Sequence, residues 1–93
     1  MAKFVKKPIV VEALQIPQVG YENREQGTKF EQWLRNGDCK FSIHPDATVI
    51  IQTLEGDMSG KYPDWVIKGV RGEFYPCKRD IFEASYMLVS EET

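Results

Sequence analysis

The chain is short of the residues from which metal sites, disulfide frameworks and membrane spans are built. Two cysteines, Cys39 and Cys77, and one histidine, His44, are its whole supply of thiol and imidazole ligands across 93 residues. A tetrahedral zinc site takes about four such ligands. No C-x-x-C pair occurs, so no metal and no cofactor is expected. Secreted domains of this size carry more cysteines. Reduced thiols are therefore the expectation, with a single disulfide the weaker reading. No apolar run is long enough to cross a bilayer. The opening Met1-Ala2-Lys3-Phe4-Val5-Lys6-Lys7 is basic but lacks the apolar segment of a signal peptide. A cytoplasmic protein with no membrane partner follows. Excess positive charge is also lacking: 12 Lys+Arg against 14 Asp+Glu leave a net charge of -2. That balance disfavours duplex nucleic acid, which calls for a basic domain.

What is present suits one soluble domain over residues 1–93. Hydrophobic residues make up 42% and charged residues 28%, ordinary proportions for a globular chain. A chain this short buries a modest share of its surface, which leaves room for a homo-oligomer.

Residues 9–16 are rich in β-branched side chains and read as a strand, buried on both sides at its start, with Pro8 entering and Pro17 ending it. Residues 18–27 are polar and read as a loop. Thr28-Lys29-Phe30-Glu31 matches a capping box, so a helix is expected from Thr28. Its inner face is Phe30, Trp33 and Leu34, and its stop is Gly37. Short strands follow at 41–44, 47–54 and 58–61. Their punctuation is the Pro45-Asp46 turn and the Glu55-Gly56-Asp57 hairpin. Residues 65–68 and 73–75 read as two strands joined by the turn 69–72, with Pro76-Cys77 leaving the ladder. Asp80 is expected to cap a short C-terminal helix whose inner face is Ile81, Phe82, Ser85 and Tyr86. Met87-Leu88-Val89 offers a last strand against the first, and 90–93 a frayed tail. The sum is an α+β domain: a small, curved, mostly antiparallel β-sheet, open or closed part-way into a barrel, with one amphipathic helix and one short C-terminal helix.

The densest stretch is Asp64-Trp65-Val66-Ile67-Lys68-Gly69-Val70-Arg71-Gly72-Glu73-Phe74-Tyr75-Pro76-Cys77-Lys78, followed by Asp80-Ile81-Phe82-Glu83 and Tyr86. Through this motif, the Lys-Lys-Pro-led strand at residues 6–15 and Thr53-Leu54-Glu55-Gly56, the chain resembles a family of small phage and prophage proteins over nearly its whole length. It is also similar to the family named for a Pro-Gly-Asp-Tyr-Gly motif, although Tyr62-Pro63-Asp64-Trp65 lacks that glycine. Arg79 stands where such proteins commonly have proline. The resemblance implies a phage-encoded accessory protein and carries no settled activity.

The same stretch holds the candidate ligand site: Trp65, Lys68, Arg71, Tyr75, Lys78 and Arg79. Cations beside flat rings suit a phosphate-bearing, nucleotide-like small molecule, the charges holding phosphate and a ring stacking on a base. Alternation along a strand threatens to put Trp65 and Lys68 on opposite faces, and packing in the core is the commoner fate of such rings. Glu12, inside an apolar strand, is either a buried base or, more commonly, an edge or lysine-paired carboxylate. His44 with Asp46 lacks a nucleophile and reads as a turn. Cys77 becomes a nucleophile only if Lys78 and Arg79 lower its pKa. Gly69-x-x-Gly72 is too short for a phosphate loop. No catalytic residue emerges, so a non-enzymatic ligand-binding accessory protein is expected, one version being a sponge for a host immune-signalling nucleotide. The alternative is a protein-interaction module that engages a host protein or self-assembles.

Overall fold

The computed structural model describes residues 1–18 and 24–89. The expected tail over 90–93, and residues 19–23 of the expected loop, lie outside them. Eight elements follow in order: β1 (Glu12–Gln15), α1 (Arg24–Asn36), β2 (Phe41–Ile43), β3 (Val49–Thr53), β4 (Gly56–Gly60), β5 (Trp65–Lys68), β6 (Phe74–Cys77) and α2 (Arg79–Ser85). The strands form two three-stranded antiparallel sheets, β1-β5-β6 and β2-β3-β4, rather than one. Neither closes into a barrel, which corrects the single curved sheet expected above. The α+β class stands.

Both sheets and α1 share one core. Ile16, Phe30, Leu34, Val49, Ile51, Val66 and Phe74 are buried in a single cluster, with Trp33, Cys39 and Phe41 packed against it. Strand alternation explains the choice: Val49 and Ile51 share one face of β3, and Val66 and Phe74 lie on one face of β5 and β6. Gly60 ends β4 where a Cβ would stand 2.9 Å from Ile16 Cδ1 and 3.1 Å from Pro76 Cβ. The poor strand propensity of this segment is thus the condition for bringing the two sheets close.

α1 begins at Arg24, not at Thr28. The capping box is therefore inside the helix, where the Thr28 hydroxyl donates to the Arg24 carbonyl at 3.0 Å. Four earlier residues become helical because Phe30 and Leu34 bury against the sheets and hold the following turns in place. The stop falls where expected but by a different device. Asp38 takes the left-handed conformation (φ 57°), the Asp38 N–H donates to the Arg35 carbonyl at 3.0 Å and the Cys39 N–H to the Leu34 carbonyl at 2.9 Å. This is a Schellman closure in which an aspartate fills the position usually given to glycine.

β1 is four residues long, not eight, because its only partner β5 ends at Lys68. Ile9 and Val10, expected to be buried, are 54% and 76% exposed. Pro76 stays in the ladder opposite Val66. The Gly69 N–H donates to the Glu73 carbonyl at 2.7 Å. Alternation from that bond points the Pro76 nitrogen away from β5, so its missing N–H costs the sheet nothing. α2 is preceded by Lys78 rather than capped by Asp80, whose carboxylate instead accepts the Ile81 N–H from within the first turn. Met87-Leu88-Val89 forms no strand and is exposed.

Candidate functional site

The antiparallel register of β5 with β1 and β6 divides three of the six expected ligand residues, Trp65, Lys68 and Tyr75, between two faces of one sheet. Trp65 sits opposite Gln15 and Cys77, and Ile67 opposite Tyr75. Side chains of Trp65, Ile67 and Tyr75 therefore share the face covered by α2. Lys68 alternates to the other face, beside α1.

On the α2 face the rings are already matched. Trp65 stacks on Phe82 with centroids 4.3 Å apart and planes 12° apart, and Phe82 stacks on Tyr86 at 5.0 Å and 18°. Phe82 and Tyr86 lie one helical turn apart, so α2 presents both to the sheet. The Trp65 indole Nε1 is buried without a hydrogen-bond partner among the described residues. Burial, and then the hydrogen bond with the Tyr86 hydroxyl, push the Tyr75 hydroxyl up to about 12. The face of Trp65 that a base would use is occupied by Phe82. The i, i+4 spacing of Phe82 and Tyr86 was the sequence signal for this partner.

The cations have separate engagements. Lys68 Nζ stands 5.8 Å from the Phe74 ring centroid, close to the carbonyl end of α1 at Gly37, where a cation suits the helix dipole. Lys78 Nζ lies 3.3 Å from Asp64 Oδ2, and Arg79 Nε 3.7 Å from Glu83 Oε1. Arg71 is exposed in the turn between β5 and β6, where Gly72 adopts φ 83°. The arrangement brings Trp65 and Tyr75 together, leaves Lys68 behind the sheet and ties Lys78 and Arg79 to carboxylates. Lys68 therefore does not share a face with Trp65 and Tyr75. Two shallow depressions of about 300 and 200 Å³ lie elsewhere, one against β2 and β3 at Lys40, Ser42 and Gln52, the other under α1 at Ile16, Phe30 and Val49.

Asp64 is 8% exposed and acts structurally. Its carboxylate also accepts the Lys61 N–H at 3.3 Å, while its own carbonyl accepts the Ile16 N–H at 2.8 Å. Glu12 is exposed and accepts a hydrogen bond from Trp33 Nε1 at 3.0 Å, the edge role rather than a buried base. The His44-Asp46 segment is a turn: the Ala47 N–H donates to the His44 carbonyl and the Thr48 N–H to Asp46 Oδ1. Burial, then Asp64 and Asp80, push the Cys77 thiol up. The condition for Cys77 to act as a nucleophile, a pKa lowered by Lys78 and Arg79, is not met, because burial outweighs them. Burial raises Cys39 as well. Among the described residues no group of three or more His, Cys, Asp or Glu could hold a metal ion, and no helix is long and apolar enough to cross a membrane.

Apolar side chains are left exposed in the N-terminal segment. Phe4, Val5, Ile9 and Val10 are 90%, 93%, 54% and 76% exposed in a segment with no helix or strand of its own. Ile9 and Val10 carry core-type side chains, but β5, which pairs with β1, ends at Lys68 before Gly69 and offers them no neighbour. Compared with protein-family models, with curated proteins and with solved structures, the chain matches none.

Proposed function

We propose that this protein is a non-enzymatic protein-interaction module that engages another chain by strand addition at the open edge of β1, within the accessory role that its resemblance to small phage proteins implies. One observation carries this reading. An arm that exposes Phe4, Val5, Ile9 and Val10 runs directly into an edge strand whose outer side has no strand partner among the described residues. A free edge is a template for another strand, and proteins that leave one open beside apolar side chains use it or blunt it. β1 itself is not blunted: it has no bulge and Glu12 is its only charged residue, while Lys6, Lys7 and Pro8 lie upstream in the arm. The anionic-ligand reading has less support, since its rings are stacked on protein and its cations are divided or paired.

Benzoylphenylalanine placed at Phe4 tests the reading by photo-crosslinking in producing cells. A defined adduct is expected. It should vanish with Ala13→Pro, which removes an outward-facing N–H and leaves the β1–β5 ladder intact. Absence of any adduct, or an adduct indifferent to Ala13→Pro, would overturn it.

A further inference from the structure

We infer that the chain which adds to β1 is a second copy of this protein, the two pairing residues 4–14 antiparallel about a two-fold axis through Ile9. This rests on the strand-addition reading and supplies its partner. The argument begins with which backbone groups are free. The Ile16 N–H donates to the Asp64 carbonyl across the β1–β5 ladder. Even-numbered residues of β1 therefore turn their N–H and C=O inward to β5, and Ala13 and Gln15 turn theirs outward. Residues 4–11 form no strand in the single chain; on pairing with a second copy in the extended conformation of β1, the alternation would turn Val5, Lys7, Ile9 and Val11 outward too. Pro8, the one residue of the arm without an N–H, falls at an inward position. The arm can hydrogen-bond along its whole outer side.

The sequence then fixes the register. A perpendicular two-fold pairs residues whose numbers share one sum and one parity. Centred on Ile9, Phe4 meets Leu14 of the second copy, Val5 meets Ala13, Lys6 meets Glu12 and Ile9 meets itself. Opposite charges face each other twice, once in each symmetric half; Phe4, Val5 and Ile9 face apolar residues, and Lys7 faces Val11. Centred one residue later on Val10, Lys6 would meet Leu14 and Glu12 would meet Pro8, losing both charge pairs. Leu14, 37% exposed on the edge, is the side chain that Phe4 of the second copy would cover. In the single chain Lys6 Nζ stands 5.7 Å from the Tyr86 ring. That exposed contact is weak and is exchanged for a carboxylate. Six strands would then run continuously across the axis.

Charge exchange tests this arrangement. Lys6→Glu alone and Glu12→Lys alone each place two like-charge pairs across the axis, and each should raise the dimer dissociation constant by about ten-fold or more in sedimentation velocity. An equimolar mixture restores both opposite pairs and should recover a heterodimer near native affinity. Thermal unfolding of each variant reports that it is folded. As a second, independent measurement, Ile9→Cys should oxidise to a 9–9 disulfide, since facing residues of a hydrogen-bonded antiparallel pair lie about 5.5 Å apart. Val10→Cys should not, its two copies being offset to about 8 Å. A native chain that stays monomeric at high micromolar concentration overturns the second copy. If the Phe4 photoadduct is then to a different protein, strand addition itself survives. A dimer that ignores the charge exchange, or fails to cross-link at position 9, overturns the two-fold register.

Discussion

Two glycines, Gly27 inside α1 and Gly37 just after it, should respond to the same substitution in opposite directions. At Gly27 a Cβ would meet nothing within 4 Å, and the residue lies inside the helix. Gly27→Ala should gain roughly the helix-propensity difference of about 1 kcal/mol, raising the thermal midpoint by about 4–8 °C in a domain of this size. Gly37 follows the helix, and its φ is not left-handed, so backbone freedom alone would also favour alanine by about 0.4–1 kcal/mol. Its Cβ, however, would stand 2.5 Å from Phe74 Cζ and 2.6 Å from Cε2. That ring cannot swing clear. It is buried, sets an edge against Trp33 with centroids 5.1 Å apart and carries Lys68 on its other side. Overpacking of this kind costs about 1–3 kcal/mol, so the steric term wins and Gly37→Ala should lose about 1–2 kcal/mol net, a fall of at least about 4 °C. Circular dichroism at 222 nm through a thermal ramp, with urea titration for the free energies, reads both variants. Phe74→Leu should cost less in the Gly37→Ala background than alone, by at least about 0.5 kcal/mol, because the two sites share one contact. If Gly37→Ala is neutral or stabilising, the close approach of helix end and ring described here is wrong.

Tyr75 sets an alkaline limit. Its folded pKa of about 12 exceeds the ordinary 10.0, so the native state holds this proton more tightly than the unfolded chain does. The resulting stability is fully present below pH 10 and is lost as pH rises towards 12. The thermal midpoint should fall across that window, and Tyr75→Phe should flatten the fall and remove the latest phase of the tyrosinate absorbance at 295 nm; an unchanged profile would count against it. Leu34→Ala, at a fully buried site, should cost about 2–5 kcal/mol of a total near 5–15 kcal/mol, read by urea unfolding. Cys39 and Cys77, both raised, should alkylate more slowly than a free cysteine peptide at neutral pH. An inflection in the pH–rate profile near neutrality would contradict the burial assigned to them.

Local pattern was enough to determine the α+β class, the core face of α1 through Phe30 and Leu34, the strand at residues 65–68 and the turn at His44. Periodicity and turn chemistry are properties of neighbouring residues, and they act before any distant contact is made. They could also raise the risk that Trp65 and Lys68 would part company, since alternation is local. Tertiary structure alone decided the rest. The halving of β1 was set by the length of β5, fifty residues away in the chain. Pro76 kept its place because β6 is an edge, and two sheets formed instead of one because Gly60 let them approach. Lys78 and Lys68 found Asp64 and the end of α1, partners that their own spacing does not name, whereas Arg79 found Glu83 at the i, i+4 spacing of a helix. An exposed arm has no local signature either: Ile9 and Val10 carry the side chains of a buried strand, and only the absence of a neighbour beside them among the described residues shows that they lie outside the core.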